Sequence, residues 1–231
     1  MDRHTVFAQL DDAARRLDTA CEQLSENDLR HASDLPGWSR AHVLTHLARN
    51  ADGLRGLLLA ARSGEAVRMY ASPLNRTADI EAGSSRQSEV IVADLVHATH
   101  SFTVEAATLD DDSWNATVEF SSGGPNPPKI AADSVLAMRL EELEIHLVDL
   151  RSGPTFAETP VPVAQILLDR VARRRTRLGT TISASATDCD WRMDDGGSGE
   201  SVEAPTSTLL AWLFGRSGHG AEQLPTLRPL A

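Results

Sequence analysis

The sequence predicts a four-helix bundle followed by a smaller α+β domain, and three observations carry that expectation. In four separate stretches between Val6 and Leu150 apolar residues recur at steps of three and four, the signature of amphipathic helices. The Pro-rich connection Gly153-Pro-Thr-Phe-Ala-Glu-Thr-Pro-Val-Pro162 interrupts that pattern. Beyond it, short β-branched runs and turn signals alternate with helical stretches. The expected domains are therefore 1–152 for the bundle and 155–231 for the α+β unit.

The first helix is expected over 2–24, with Val6, Leu10, Ala13, Leu17, Ala20 and Leu24 on one face. Residues 25–37 break it, ending in the turn Asp34-Leu-Pro-Gly-Trp38. Ser39 is a natural N-cap for a second helix over 40–62, closed by Gly64. Its inward face reads Leu44, Leu47, Ala48, Ala51, Leu54 and Leu58. A third helix is expected over 77–109, with an interruption near Gly83-Ser-Ser85 and with Ile91, Leu95, Ala98, Phe102 and Ala106 inward. Residues 110–130, with Gly123-Gly-Pro-Asn-Pro-Pro128, form a long connection carrying a strand at 116–120; a loop of this length in a helical domain more often walls a site than fills space. The fourth helix runs over 131–150. In the second domain a helix over 163–178 precedes Thr180-Thr-Ile-Ser183, strands at 190–193 and 201–204, and a turn at Gly196-Gly-Ser-Gly199. A last helix over 208–214 is capped by Thr206 or Ser207 and ended by Gly215.

A net charge of −11 and a pI near 5.1 argue against a nucleic-acid partner. Cys21 and Cys189 are far apart, which argues against a disulfide scaffold, an all-thiolate zinc site and a dithiol motif and suits a reducing cytoplasm. No stretch approaches the apolar length of a membrane span, and Met1-Asp-Arg-His-Thr-Val-Phe7 lacks a signal-peptide core. A cytoplasmic protein, monomeric or weakly homo-oligomeric, is expected.

Chemistry enters at Arg139-Leu-Glu-Glu-Leu-Glu-Ile-His-Leu-Val-Asp-Leu150. Leu136, Leu140, Leu143, Leu147 and Leu150 form the apolar stripe. Glu142 and His146 lie off it and four residues apart, about 40° around the axis, so one face offers a carboxylate and an imidazole to a single divalent ion. The same spacing describes an ordinary surface pair, and a third donor from elsewhere is needed. His42 and His46, also four apart, can both face the bundle, and spacing does not separate them. His97 and His100 read as ordinary surface or core histidines. Asp149 is placed either to orient His146 or to sit at a solvated helix end.

Leu35-Pro-Gly-Trp-Ser-Arg-Ala-His-Val-Leu-Thr-His-Leu-Ala-Arg-Asn50 resembles the signature of DinB-like metal-binding helical bundles. Together with Met69-Tyr-Ala-Ser-Pro73, Arg76, Ile80-Glu-Ala-Gly-Ser84, the Glu142 to Leu150 run and Leu209-Leu-Ala-Trp-Leu-Phe-Gly-Arg216, the chain is similar to the mycothiol-dependent maleylpyruvate isomerases of actinobacteria. The resemblance implies a zinc site, or one for another divalent cation, at His46, Glu142 and His146, with His42 at a position that is not a ligand. It also implies functional roles for Arg76 and Arg216, in catalysis and in holding the cofactor. Many DinB-like relatives use three histidines, and the glutamate here favours the isomerase branch.

The implied reaction turns maleylpyruvate into fumarylpyruvate in aromatic degradation through gentisate. Two imidazoles and one carboxylate leave zinc a net positive charge and an open position. A thiolate that adds to the conjugated carbon makes the double bond a rotatable single bond, and elimination restores the trans alkene. The chain has no well-placed cysteine for this, so the thiol arrives as a cofactor, which is mycothiol by resemblance. Arg76 and Arg216 suit carboxylates of the dianionic substrate or of the thiol. The alternative is a mycothiol-dependent S-transferase acting on another electrophile. A non-catalytic zinc-binding regulator is disfavoured by the lack of a His-x-x-x-Cys-x-x-Cys spacing.

Overall fold

Helix starts and stops are set by local chemistry that the chain carries in place. In the computed structural model, which describes residues 3–65, 67, 69, 72–120, 128–177, 182–194, 201–228 and 230, α1 spans Arg3–Glu22 with Val6, Leu10, Ala13, Leu17 and Ala20 buried. Leu24 lies beyond its end. The segment expected to be irregular contains a short helix, α2 (Glu26–Arg30). Ser25 caps it by accepting from the Asp28 amide, and the Asp28 carboxylate accepts from the Ser25 amide in return. Ser39 starts α3 (Arg40–Ser63), and Gly64, at φ 73°, ends it in the left-handed conformation that glycine adopts without strain.

The expected third helix is two helices. α4 (Pro73–Ser84) begins at the Ser72 cap and stops before α5 (Ser88–Ala107). The break is fastened by Arg30, whose Nη1 and Nη2 donate to the carbonyls of Ser84 (2.6 Å) and Arg86 (2.5 Å). Gly83 lets α4 approach α3 closely: a Cβ built there would sit 2.4 Å from Thr45 Cγ2. On α5 the inward residues Ile91, Leu95, Ala98, Phe102 and Ala106 are all buried.

After α6 (Asp111–Asn115), β1 (Thr117–Glu119) pairs antiparallel with β2 (Lys129–Ala131). The Gly123 to Pro127 part of the connection lies outside the described residues, as do Tyr70, Ala71, Thr180, Thr181 and the Gly196 to Gly199 turn. Because β2 takes residues up to 131, α7 starts later than expected, at Ser134–Asp149. Its leucine stripe is fully buried. Pairs of contacts give its direction: His46 meets Glu142 and Asn50 meets Arg139, so α7 runs antiparallel to α3. Helices α1, α3, α5 and α7 form the bundle, with α3 packed on α5 and α7, and α1 on α7.

The chain divides into two compact units, Met1–Ser152 and Gly153–Ala231. In the second, α8 (Val161–Arg177) packs on α9 (Thr206–Phe214), and a three-stranded sheet has the order β4 (Arg192–Met193), β3 (Ser183–Ala186), β5 (Ser201–Ala204). β3 is antiparallel to β4 and parallel to β5. Thr206 is the first residue of α9 and not its cap. The cap is supplied from a distance by the Asp188 carboxylate, which accepts from the Thr206 amide (2.9 Å) and hydroxyl (3.0 Å). Gly215, at φ 72°, closes the helix. Among the described residues no helix is long and apolar enough to cross a membrane.

Candidate metal centre

α3 and α7 each present one face to the other, and the four-residue spacing turns that into a cluster. His46 Nε2 lies 2.9 Å from Glu142 Oε2, and His146 Nε2 lies 3.4 Å from the same oxygen. The two imidazole rings stand edge to face with centroids 4.8 Å apart. One ligand atom from each of His46, Glu142 and His146 falls within 4.8 Å of the others, the one such group able to hold a metal ion among the described residues. His46 is buried, His146 nearly so, and the Glu142 side chain keeps 31% of its surface exposed.

The outer nitrogens of both rings are also engaged. His146 Nδ1 donates to Asp149 Oδ2 at 2.8 Å, and that carboxylate is fully buried. Asp149 therefore orients the ring rather than capping a solvated helix end. His46 Nδ1 is 3.0 Å from Arg76 Nη2. A guanidinium can only donate, so Nδ1 accepts and the neutral ring carries its proton on Nε2, donating to Glu142. The Trp38 ring, 5.5 Å from that of His46, forms a further wall.

Burial lowers the His46 pKa, against a partial opposing pull from Glu142. Burial also opposes charge on His146, but hydrogen bonds to Asp149 and Glu142 outweigh it and bring the ring up to about 9. Burial alone would raise the Glu142 carboxyl, yet its bonds with His146 and His46 hold it well below the usual carboxylate range. Without a metal, the centre is thus an imidazolium held between two carboxylates beside a neutral imidazole. A divalent cation held by these three residues would displace the Nε2 protons of both His46 and His146.

His42 is used elsewhere. Its Nδ1 accepts from the Ser39 amide at 3.2 Å, in the role a glutamate plays in a capping box, and its Nε2 faces Glu81 Oε2 at 3.3 Å. His97 and His100 are exposed. Arg216 lies in the second unit, where its Nη1 donates to the Phe214 carbonyl at 2.8 Å. Spacing did not reveal Trp38 as a neighbour of His46, nor the buried charges on α7. Glu144 is ion-paired to Arg16, and Arg139 is 1% exposed in the bundle core. The one available signal was Arg139 at i−3 and i−7 from Glu142 and His146, on the same helical face.

Fold and trio define the class: a helical bundle in which a His–Glu–His group from two helices could hold a metal ion. The chain belongs to the family described as mycothiol maleylpyruvate isomerase N-terminal domain, whose pattern matches residues 10–151. Two solved structures share its fold, one of a mycothiol-dependent maleylpyruvate isomerase and one of a histidine-to-alanine mutant of that enzyme. Each superposes with a TM-score of 0.89 at 21% identity, covering 99% of this chain and 97% of the other. No curated protein matches.

Proposed function

We propose that the protein is a zinc-dependent cis–trans isomerase that converts maleylpyruvate to fumarylpyruvate with mycothiol as its thiol. The observation that carries this reading is the convergence of His46, Glu142 and His146 in a chain of this family. The donor set fits the ion: two imidazoles and one carboxylate are a borderline combination that suits zinc, and three protein donors are the number found in catalytic sites. Zinc and a thiol, when bound, would supply a thiolate whose reversible addition frees the carbon–carbon bond to rotate.

The chain's own residues prepare that chemistry. Asp149 holds the His146 Nδ1 proton, which leaves Nε2 facing Glu142 as the ligand atom. Arg76, beside His46, offers a planar fork to a carboxylate of substrate or thiol; by resemblance to the isomerases we assign Arg216 a similar role. Neither cysteine is suited to act as the thiolate. Burial pushes the Cys21 thiol up to about 12, and burial and neighbouring aspartates raise that of Cys189 in the second unit. An external thiol is the consistent source.

The test is an assay of zinc-loaded protein with maleylpyruvate, with and without mycothiol. Thiol-dependent loss of the substrate absorbance without net thiol consumption is expected. Stoichiometric thiol loss would identify an S-transferase instead, and no reaction in the presence of both would refute the isomerase reading.

A further inference from the structure

Arginines tie the two ligand-bearing helices together on both sides of the trio. At the start of α3, Arg40 donates from Nε to the Leu150 carbonyl (2.6 Å) and from Nη2 to the Arg151 carbonyl (2.8 Å), at the end of α7. In the opposite direction along the pair, Arg139 of α7 donates from Nη1 to the Leu47 carbonyl (2.9 Å) and to Asn50 Oδ1 (3.0 Å) of α3. Its Nη2 reaches Thr99 Oγ1 of α5 at 3.0 Å. Arg139, Glu142 and His146 share one face of α7, and His46 and Asn50 share the facing side of α3.

A guanidinium 1% exposed is costly to desolvate, and an apolar side chain of similar volume would often be no less stable there. Its value must lie in what leucines cannot do. Leu44, Leu47, Leu140, Leu143 and Leu147 are all buried, but apolar contacts are non-directional and permit small slides and rolls. A ligand set needs its atoms fixed to within about 0.5 Å. Hydrogen bonds from one rigid fork to a main-chain carbonyl and a buried amide fix both the axial position and the roll of α7 on α3.

We propose that Arg139 is a positioning residue of the metal centre, setting the register at which Glu142 and His146 meet His46. This rests on the metal reading of the trio. The experiment measures zinc affinity by chelator competition, and the visible spectrum of the cobalt-loaded protein, for wild type, Arg139→Lys, Arg139→Met and Asn50→Ala. Leu10→Ala, a core truncation on α1, serves as a stability control. The Arg139 variants are expected to bind zinc about tenfold to a hundredfold more weakly with an altered cobalt spectrum, and Asn50→Ala to shift in the same direction. Leu10→Ala should lower the melting temperature and leave affinity and spectrum unchanged. If the Arg139 variants do not fold, Asn50→Ala decides alone. Wild-type affinity in the folded variants, full rescue by lysine, or equal weakening in Leu10→Ala overturns the proposal. A wild-type protein that takes up no zinc overturns the metal reading itself.

Discussion

Replacing Asp149 by Asn separates two effects of one buried carboxylate. Asp149 Oδ2 lies 2.8 Å from His146 Nδ1 with no exposed side-chain surface. Asn keeps the volume and an acceptor oxygen, and the bond from the Asp34 amide to the Asp149 main-chain carbonyl (2.8 Å) is untouched, so the ring stays in place. What is lost is the charge that makes Nε2 a strong donor, worth about tenfold to a hundredfold in metal affinity, or roughly 1.4 to 2.7 kcal/mol. The same charge helps to raise His146 to about 9, so at pH 7 a proton competes with zinc by about a hundredfold in the wild type. The variant is relieved of part of that competition. Chelator-competition titrations should therefore show wild type and Asp149→Asn close together at pH 7, and diverging at pH 9 with the wild type tighter. Equal affinities at pH 9 would refute the argument that this carboxylate tunes the ligand.

Removing His46 leaves two donors on one helix, and His46→Ala should lose most of its bound zinc and its turnover together; metal analysis showing unchanged zinc would remove His46 from the centre. Arg216→Ala should keep nearly normal zinc content with a large loss of activity, and full activity would take that residue out of the proposed site. In metal-free protein the His146 value of about 9 lies above its unfolded 6.5, so its contribution to stability is full below pH 6.5 and is lost as pH rises through 9. Urea titrations across that window should show a falling midpoint for wild type and a flatter one for His146→Gln. At Gly83, a methyl group meeting Thr45 Cγ2 should push α4 off α3 and cost about 1 to 3 kcal/mol in Gly83→Ala, read as a drop in melting temperature.

The features legible in the sequence are those whose causes are local. Ser39, Gly64 and Gly215 mark helix ends because the groups they satisfy lie within a few residues. The inward faces of α1, α3 and α5 follow from periodicity alone. The break between α4 and α5 was legible only as a weakness at Gly83, because Arg30, which fastens it, comes from α2. His42 and His46 share a face, and what separates them is tertiary: one ring is consumed by the Ser39 cap, the other meets α7. The buried roles of Glu144 and Arg139 were not legible, because helical spacing shows neither Arg16 nor the Asn50 and Thr99 acceptors. Glu142 and His146 were found because the two donors sit on one helix, where sequence distance and spatial distance coincide.

Arg40 and Arg139 fasten their helices partly through main-chain carbonyls, at Leu47, Leu150 and Arg151. Every residue type supplies that oxygen, so the side chains at those three positions can be exchanged without removing the acceptor. A frame braced in this way tolerates extensive drift while keeping its geometry.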